Sequence, residues 1–431
     1  MNMMVSRRAM LGGIALAGGF AATARPALAL VDSGPAFPAT RAFLNGFVER
    51  KQLPGTLATI GRAMAVPHVI AAGSIALDSG AAVDENSLWR VYSMTKPVTG
   101  IAAMLLVDQG KLRLDQPLAE ILPAFANMQV QITPDGSITD LRPAKTPITI
   151  RHLLTHTAGL GYTIVQKGPL KDAYVANGIL PAKVTRLPLP GIENSTTAPT
   201  LAEFADRLAK LPLVYEPGTK WSYSVSLDLL GRVIEVVSGL PFDVFLKERM
   251  FDPLGMTSSW FQVPQSEVGR LTTNYAPYGG ALVPIDPGAS SIFLEKPEFA
   301  FGGAGLVTSA HDYDRFLMML AGKGAIGTTR LMSEATAMLA MSDLFPQGVD
   351  AKGTFIDGHG FGAGGRVSLP GNPGNPGGPG NFGWGGAAGT IAFVNPFSGL
   401  RVAGYAQYMP PEILDFQSKL PEAILKDLAG A

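Results

Sequence analysis

A serine and a lysine three positions apart form the pair in this sequence best suited to nucleophilic chemistry. They lie in the segment Ser93-Met94-Thr95-Lys96. On a helix, residues i and i+3 share one face, so the lysine amine can reach the serine hydroxyl. A serine hydroxyl attacks a carbonyl only when a base takes its proton, and lysine is a base only when burial or nearby charge lowers its pKa. The same spacing occurs on ordinary surface helices, so alone it leaves both interpretations open.

The residues after Ser93 have the periodicity of a helix that would hold this pair. Gly110 is typical of a helix end, and Pro97 is tolerated only in a first turn, which places the helix start near Ser93. Apolar side chains recur between them at intervals of three and four residues: Val98, Ile101, Ala102 and Leu105. A helix start also directs backbone N–H groups at any negative charge that develops there.

Strand patterns lie at both ends of the chain. Residues 57–60 and 69–72 are apolar stretches around a turn and predict an antiparallel hairpin. Residues 390–394 and 400–405 predict a second strand pair, separated by turn residues. Helical patterns are found over residues 150–156, 200–210, 227–237, 311–321 and 411–428.

This order of elements predicts an α+β fold in the segment 30–431. We expect one antiparallel sheet built from both chain ends, about 38–92 and 301–431, and flanked by helices. A mostly helical region, about 93–300, is inserted between the two sheet segments. Residues 371–380 are rich in glycine and proline and predict a loop.

Five segments resemble the serine β-lactamase and penicillin-binding-protein superfamily, in the family's order. The resemblance is closest to its class C β-lactamase-like branch and, within that, to the family VIII carboxylesterases. The segments are residues 91–100 (VYSMTKPVTG), 110–118 (GKLRLDQPL), 148–160 (ITIRHLLTHTAGL), 216–224 (EPGTKWSYS) and 302–306 (GGAGL). The resemblance implies a β-lactamase-like serine hydrolase with Ser93 as nucleophile and Lys96 as its partner.

By the same resemblance, Tyr223 is the third catalytic residue. In this family a tyrosine of a Y-x-N motif contacts both the nucleophile and the lysine. A nearby ammonium favours the phenolate, which can accept the serine proton. Val225 stands where the motif has an asparagine that helps to bind β-lactam amides, and the family VIII esterases share this departure. With Trp384, Gly385 and Gly386, Val225 is a candidate substrate-binding residue.

The segment Trp384-Gly385-Gly386 resembles the W-x-G motif of those esterases, which replaces the K-T-G motif of β-lactamases. Glycines there let a substrate approach the backbone closely. The resemblance implies that the N–H groups of Ala387 and Ser93 form the oxyanion hole. Because Trp384 offers an apolar face where a lysine would attract a carboxylate, we expect neutral acyl substrates rather than anionic β-lactams.

Composition excludes several other functions. Lys+Arg and Asp+Glu are both 34, so the basic excess of a duplex-DNA binder is absent. The chain has no cysteine, which excludes disulfides, thiolate nucleophiles and cysteine-bound metals. His152 and His156 have a metal-like spacing, but no H-E-x-x-H motif accompanies them. We therefore expect no metal and no cofactor.

The first 29 residues predict an export signal of the twin-arginine type. Residues 6–8 (SRR) precede an apolar run over 9–24, and residues 27–29 (ALA) match a cleavage pattern. An ordinary secretory signal that happens to hold two arginines is the alternative. The apolar run is short and rich in glycine and alanine, so we expect no stable membrane anchor and a periplasmic or secreted protein.

The sequence thus predicts a hydrolase that cleaves esters of short acyl groups through an acyl-enzyme on Ser93. The alternatives are a β-lactamase, a D-amino-acid peptidase or a transesterase of the same fold, and a non-catalytic penicillin-binding module. The expected partner is a small-molecule ester or amide, and no nucleic acid. The sequence leaves open whether Lys96 or Tyr223 is the base, and it does not predict the oligomeric state.

Overall fold

The computed structural model describes residues 36–187, 196–371 and 378–429, so the predicted export signal, residues 1–29, lies outside the described residues. The α-helices are α1 (Pro38–Glu49), α2 (Thr95–Asp108), α3 (Ile150–Leu154), α4 (Gly168–Ala176), α5 (Leu201–Leu208), α6 (Ser226–Ser238), α7 (Phe242–Leu246), α8 (Asp252–Leu254), α9 (Ala310–Ala321), α10 (Glu334–Ala340) and α11 (Phe416–Ala429). The strands are β1 (Gly55–Arg62), β2 (His68–Gly73), β3 (Leu88–Arg90), β4 (Gln129–Gln131), β5 (Leu141–Pro143), β6 (Ser259–Trp260), β7 (Asn274–Tyr278), β8 (Ala281–Asp286), β9 (Val307–Ser309), β10 (Ala325–Ile326), β11 (Thr329–Arg330), β12 (Gly360–Phe361), β13 (Arg366–Val367), β14 (Phe382–Gly385), β15 (Ile391–Val394) and β16 (Leu400–Tyr405).

Strands from both ends of the chain form the main sheet, in the order β12-β13-β14-β15-β16-β1-β2. Every pairing in it is antiparallel. In the centre, Leu57 of β1 lies opposite Tyr405 of β16 on one side and Ala71 of β2 on the other. The two predicted strand pairs, β1–β2 and β15–β16, are confirmed, and so is the α+β fold class.

Helices cover both faces of this sheet. Successive side chains of a strand point to opposite faces, and the central strands show this alternation. Ala58 and Val402 pack in a cluster with Phe416 of α11, on the face that α1 also covers. Leu57 and Ala403, one residue along on each strand, belong to the large core cluster on the opposite face, where α9 contacts β16. Both faces are therefore buried.

Helix α2 runs through the interior of the helical region. All residues from 95 to 106 are buried, as expected for a helix that is surrounded by other elements. It packs against α6 and α10. Pro97 occupies the first turn, where its missing N–H costs no intrahelical bond. The α-helical part begins at Thr95, and a 3₁₀ turn, Tyr92–Met94, carries Ser93 just ahead of it.

The other predicted helices are present with small shifts at their ends. Helix α6 ends at Ser238, and the next residue, Gly239, has a φ of 74°, the left-handed conformation that favours glycine. The closing helix begins later than predicted, at Phe416, because Pro411–Ile413 form a separate 3₁₀ turn and Asp415, with a φ of 52°, is outside the right-handed helical region. Within the described part of the chain, no helix is both long and apolar enough to span a membrane.

Candidate active site

Ser93 lies in the tight turn between β3 and α2. The residue before it, Tyr92, has a φ of 41°, which is uncommon for a residue with a side chain. Two hydrogen bonds through one hydroxyl hold this conformation. Thr95 Oγ1 donates to the Tyr92 carbonyl at 2.6 Å and accepts from the Leu306 N–H at 3.1 Å. Such a conformation persists only when its surroundings fix it, and it is concentrated at functional sites.

Lys96 is fully buried beside Ser93. Its Nζ donates to Ser93 Oγ at 3.2 Å and to the Gly303 carbonyl at 2.7 Å. The same Nζ lies 4.5 Å from the centre of the Tyr223 ring, within the range of a cation–π contact. The spacing of three residues on the sequence therefore brings the amine to the hydroxyl as expected.

Tyr223 approaches Ser93 from the segment that precedes α6. Its Oη donates to Ser93 Oγ at 2.8 Å and accepts from Trp384 Nε1 at 3.2 Å. The side chain is only 7% exposed. Tyr223 also contacts Lys96, through the face of its ring. The Ser93 hydroxyl is thus flanked by an amine and a phenol, two groups that can exchange protons with it.

The Trp384–Gly386 segment lies against the turn that carries Ser93. Strand β14, which contains Trp384 and Gly385, contacts this turn. A Cβ on Gly386 would lie 2.3 Å from the Val91 carbonyl oxygen, so the close approach requires glycine there. Ala387 packs against the cluster that contains Tyr92. The structure brings this segment to Ser93, while its roles in substrate binding and in the oxyanion hole stay predictions.

Val225 lies just before α6 and packs in the protein interior. Its side chain is fully buried, and its N–H donates to the Gly161 carbonyl at 3.1 Å. No part of the side chain is therefore open to a cleft in this structure. The prediction that Val225 belongs to the substrate-binding set stays a prediction, and its apolar side chain cannot make the amide contact of an asparagine.

Asp228 is a site residue that the sequence patterns did not single out. It lies on α6, is fully buried, and accepts the Gly303 N–H at 2.8 Å through Oδ1. Its Oδ2 has no hydrogen-bond partner among the described residues. Burial raises the pKa of this carboxyl to about 6, and the charge of Lys96 opposes the rise. One residue, Gly303, therefore links the two side chains: its N–H donates to the carboxyl and its carbonyl accepts from the lysine.

The two histidines of the 148–160 segment have structural partners. His156 Nδ1 lies 2.9 Å from Ser224 Oγ, and its ring packs 4.9 Å from that of Tyr223. Burial, together with the Lys96 charge, lowers the pKa of His156 well below its usual value. His152 Nδ1 accepts the Thr149 N–H, and burial lowers the pKa of His152 to about 4. Over residues 36–187, 196–371 and 378–429, no cluster of three metal-ligating side chains is found.

Aromatic rings surround the phenol of Tyr223. Trp221 stacks at 6.1 Å, and Phe355 packs edge-on at 5.6 Å. Trp384 is 5.7 Å from Tyr223 and 5.2 Å from Phe361. Among the hydrogen-bonding and ring partners given above for Ser93, Tyr223 and Trp384, Lys96 is the one cation. The surroundings of the nucleophile are therefore mostly apolar and aromatic.

A cavity of about 320 Å³ lies elsewhere, and Gly305 of the glycine segment 302–306 lines it. Phe293, Phe301 and several charged side chains also line it. Ser93, Lys96 and Tyr223 do not line it, so it is separate from the candidate active site.

Known proteins share both the sequence pattern and the fold. The family model described as Beta-lactamase matches residues 40–419. Protein Rv1367c of Mycobacterium tuberculosis (strain ATCC 25618 / H37Rv) is 31% identical over 350 residues, which cover 79% of this chain and 82% of the relative. Esterase EstB of Burkholderia gladioli is 30% identical over 400 residues, which cover 89% and 93%.

A solved structure described as EstCE1, a hydrolase with promiscuous acyltransferase activity, superposes with a TM-score of 0.73. It is 26% identical and covers 90% of this chain and 97% of its own. The resemblance predicted from the five sequence segments is confirmed. The chain belongs to the beta-lactamase family, has the β-lactamase-like fold, and has relatives that include esterases of the serine-hydrolase type.

Proposed function

We propose that the protein hydrolyses carboxylic esters of short acyl groups through a covalent acyl-enzyme on Ser93. The observation that supports this most directly is the pair of hydrogen bonds at one oxygen. Tyr223 Oη and Lys96 Nζ lie 2.8 and 3.2 Å from Ser93 Oγ. A hydroxyl with two proton-exchanging neighbours has the arrangement that an activated nucleophile needs.

In the proposed reaction, Lys96 and Tyr223 share the removal of the Ser93 proton. The oxygen attacks the ester carbonyl, and the N–H groups of Ser93 and Ala387 stabilise the resulting oxyanion. Tyr223, or Lys96 through Tyr223, then gives the proton taken from Ser93 to the departing alcohol, while Ser93 Oγ stays bonded to the acyl group. Water enters, the same base takes its proton, and the acid is released from Ser93. No cofactor takes part in these steps.

Neutral substrates fit the surroundings of Ser93 better than anionic ones. Trp384 stands where β-lactamases carry a lysine, and its indole N–H is bonded to Tyr223. Lys96 is buried and already donates to Gly303, so it offers no free charge at a surface. A substrate carboxylate would therefore lose water without gaining a charged partner, which is costly.

The rates on a nitrophenyl acetate and on a cephalosporin test the proposal. We expect the ester to react much faster, and we expect Ser93→Ala to lose nearly all turnover while it keeps its fold by circular dichroism. A cephalosporin reaction much faster than the ester reaction would favour the β-lactamase alternative. Folded protein with neither reaction and no penicillin adduct on Ser93 would favour a non-catalytic binding module.

Acyl transfer to an alcohol is a second candidate function. The description of the structural relative EstCE1 as a hydrolase with promiscuous acyltransferase activity supports it. In this reaction an alcohol replaces water in the second step, and the same base takes its proton. Adding benzyl alcohol to a vinyl acetate assay tests it. Benzyl acetate in the products supports transfer, and acetate alone supports hydrolysis.

We also propose that the protein is exported by the twin-arginine route and acts in the periplasm or outside the cell. The arginine pair at residues 7–8 and the cleavage pattern at residues 27–29 support this. Fractionation of cells that express the full chain, compared with an Arg7→Lys, Arg8→Lys variant, tests it. Retention of the variant in the cytoplasm is the expected result, and unchanged export would argue for an ordinary secretory signal.

A further inference from the structure

Phe355 has a large apolar side chain that is exposed to solvent next to the candidate catalytic residues. It is 61% exposed, yet its ring makes three aromatic contacts. It packs edge-on to Trp221 at 4.9 Å and to Tyr223 at 5.6 Å, and it lies 5.8 Å from Trp384. The catalytic phenol therefore has an exposed aromatic ring directly beside it.

The loop that carries Phe355 is tied to the segment that carries Tyr223. The Asp350 N–H donates to the Thr219 carbonyl, and the Trp221 N–H donates to the Asp350 carbonyl, both at 2.9 Å. Next to Phe355, Ile356 is fully buried and anchors the loop in the core. The exposed ring is thus held in place from both sides, which is what a preformed contact surface requires.

A second exposed apolar segment follows Tyr162, a residue whose ring packs against Tyr223. Ile164 and Val165 are 60% and 40% exposed. The Val165 N–H donates to the carbonyl of Tyr162, whose ring lies 5.2 Å from that of Tyr223. Exposed apolar side chains grouped around one polar group are typical of ligand sites, where they bind an apolar body while the polar group fixes its orientation.

The position of Phe355 relative to the Tyr223 phenol indicates which part of an ester it contacts. In the proposed function, on which this inference rests, Tyr223 protonates the departing alcohol, so the alcohol oxygen must lie next to Tyr223 Oη. The groups attached to that oxygen then extend past the neighbouring rings. We propose that Phe355 determines substrate specificity by binding the alcohol portion of the ester, and that this portion carries an aromatic or fused-ring apolar group.

The size of the effect follows from the strength of aromatic contacts. A well-oriented aromatic pair contributes on the order of a tenfold gain in binding beyond simple burial. Acetates of ethanol, benzyl alcohol and 2-naphthylmethanol share one acyl group and differ in the size of the alcohol. We expect kcat/KM to rise along this series, and we expect Phe355→Ala to lower the naphthylmethyl-to-ethyl ratio about tenfold.

The controls separate this role from a general structural one. Phe355→Tyr keeps an aromatic ring and should keep the ratio. Phe397→Ala removes another exposed phenylalanine, 75% exposed, in the turn between β15 and β16, and should leave every rate unchanged. Ethyl esters with acyl groups from acetyl to 3-phenylpropanoyl report on the acyl side, and their ratios should be unchanged in Phe355→Ala.

Two results would overturn the inference. An unchanged naphthylmethyl-to-ethyl ratio in Phe355→Ala would show that the ring does not contact the alcohol. A change in the acyl series but not in the alcohol series would place Phe355 on the acyl side. If the proposed function itself is wrong, wild-type protein will hydrolyse none of these esters. That result is distinct from a failure of the inference about Phe355.

Discussion

The buried carboxyl of Asp228 makes a contribution to the pH dependence of stability that one substitution should remove. Burial raises its pKa from 3.8 to about 6, and its Oδ1 accepts the Gly303 N–H. Asp228→Asn keeps the shape and an oxygen acceptor for that N–H, but it cannot ionise. The groups that face Asp228 are Lys96 on α2 and Tyr162 in the loop after α3, and both remain in the variant.

The magnitude follows from the difference in pKa between the folded and unfolded chain. The rise from 3.8 to about 6 is about two pK units, and each unit corresponds to 1.36 kcal/mol, so the total is about 3 kcal/mol. Because the folded pKa is raised, this stabilisation is fully present below the unfolded pKa and is lost as pH rises through about 6. The asparagine variant cannot ionise at this position, so it should not lose this stability as pH rises.

Urea unfolding followed by tryptophan fluorescence, between about pH 4 and pH 8, measures the effect. Relative to wild type, Asp228→Asn should therefore gain about 2–3 kcal/mol of stability, measured as a larger free energy of unfolding, between the lower and the upper end of this range. Asp115→Asn is the control: the hydrogen bond from Arg151 lowers the pKa of Asp115, so its stabilisation is lost only below the measured range, and its difference from wild type should stay nearly constant between about pH 4 and pH 8. A difference between Asp228→Asn and wild type that stays constant with pH would refute the reasoning.

Three further substitutions test the contacts around Ser93. Tyr223→Phe removes the phenol that bonds Ser93 and should lower kcat/KM on a nitrophenyl ester by roughly 10²–10⁴-fold with the fold intact; a loss below tenfold would contradict its proton-handling role. Gly386→Ala places a Cβ 2.3 Å from the Val91 carbonyl oxygen, so thermal unfolding should show about 1–3 kcal/mol of lost stability, and an unchanged melting temperature would contradict the close packing. Trp384→Lys should raise the cephalosporin-to-ester rate ratio, because it adds a cation for a substrate carboxylate, and an unchanged ratio would exclude this residue as the source of the preference for neutral substrates.

The helices and strands that are determined by residues close together in the sequence could be predicted. The hairpin β1–β2, the pair β15–β16 and the helix after Ser93 follow from periodicity and turn residues over short stretches. The start of the α-helical part at Thr95, next to the predicted Ser93, follows from the restriction that Pro97 imposes. The approach of Tyr223 to Ser93 came from the family resemblance, since no spacing rule joins residues 130 positions apart.

The parts of the site that depend on long-range packing were not predicted. Asp228 looks like an ordinary polar residue on an amphipathic helix until the fold buries it against Gly303. Phe355 lies in a segment without a motif, and its position depends on the pairing of Asp350 with residues 219–221. Val225 occupies a motif position, but only the structure shows that its side chain is fully buried.

The most direct test of the central claim is the identity of the acylated residue. Protein mixed with a nitrophenyl ester, quenched in acid and digested, can be analysed by mass spectrometry, with a fluorophosphonate label as a second probe. We predict an acyl or phosphonyl group on Ser93 and none in Ser93→Ala. Turnover of the ester without any adduct on Ser93, or with a covalent adduct on another residue whose removal abolishes activity, would contradict the account.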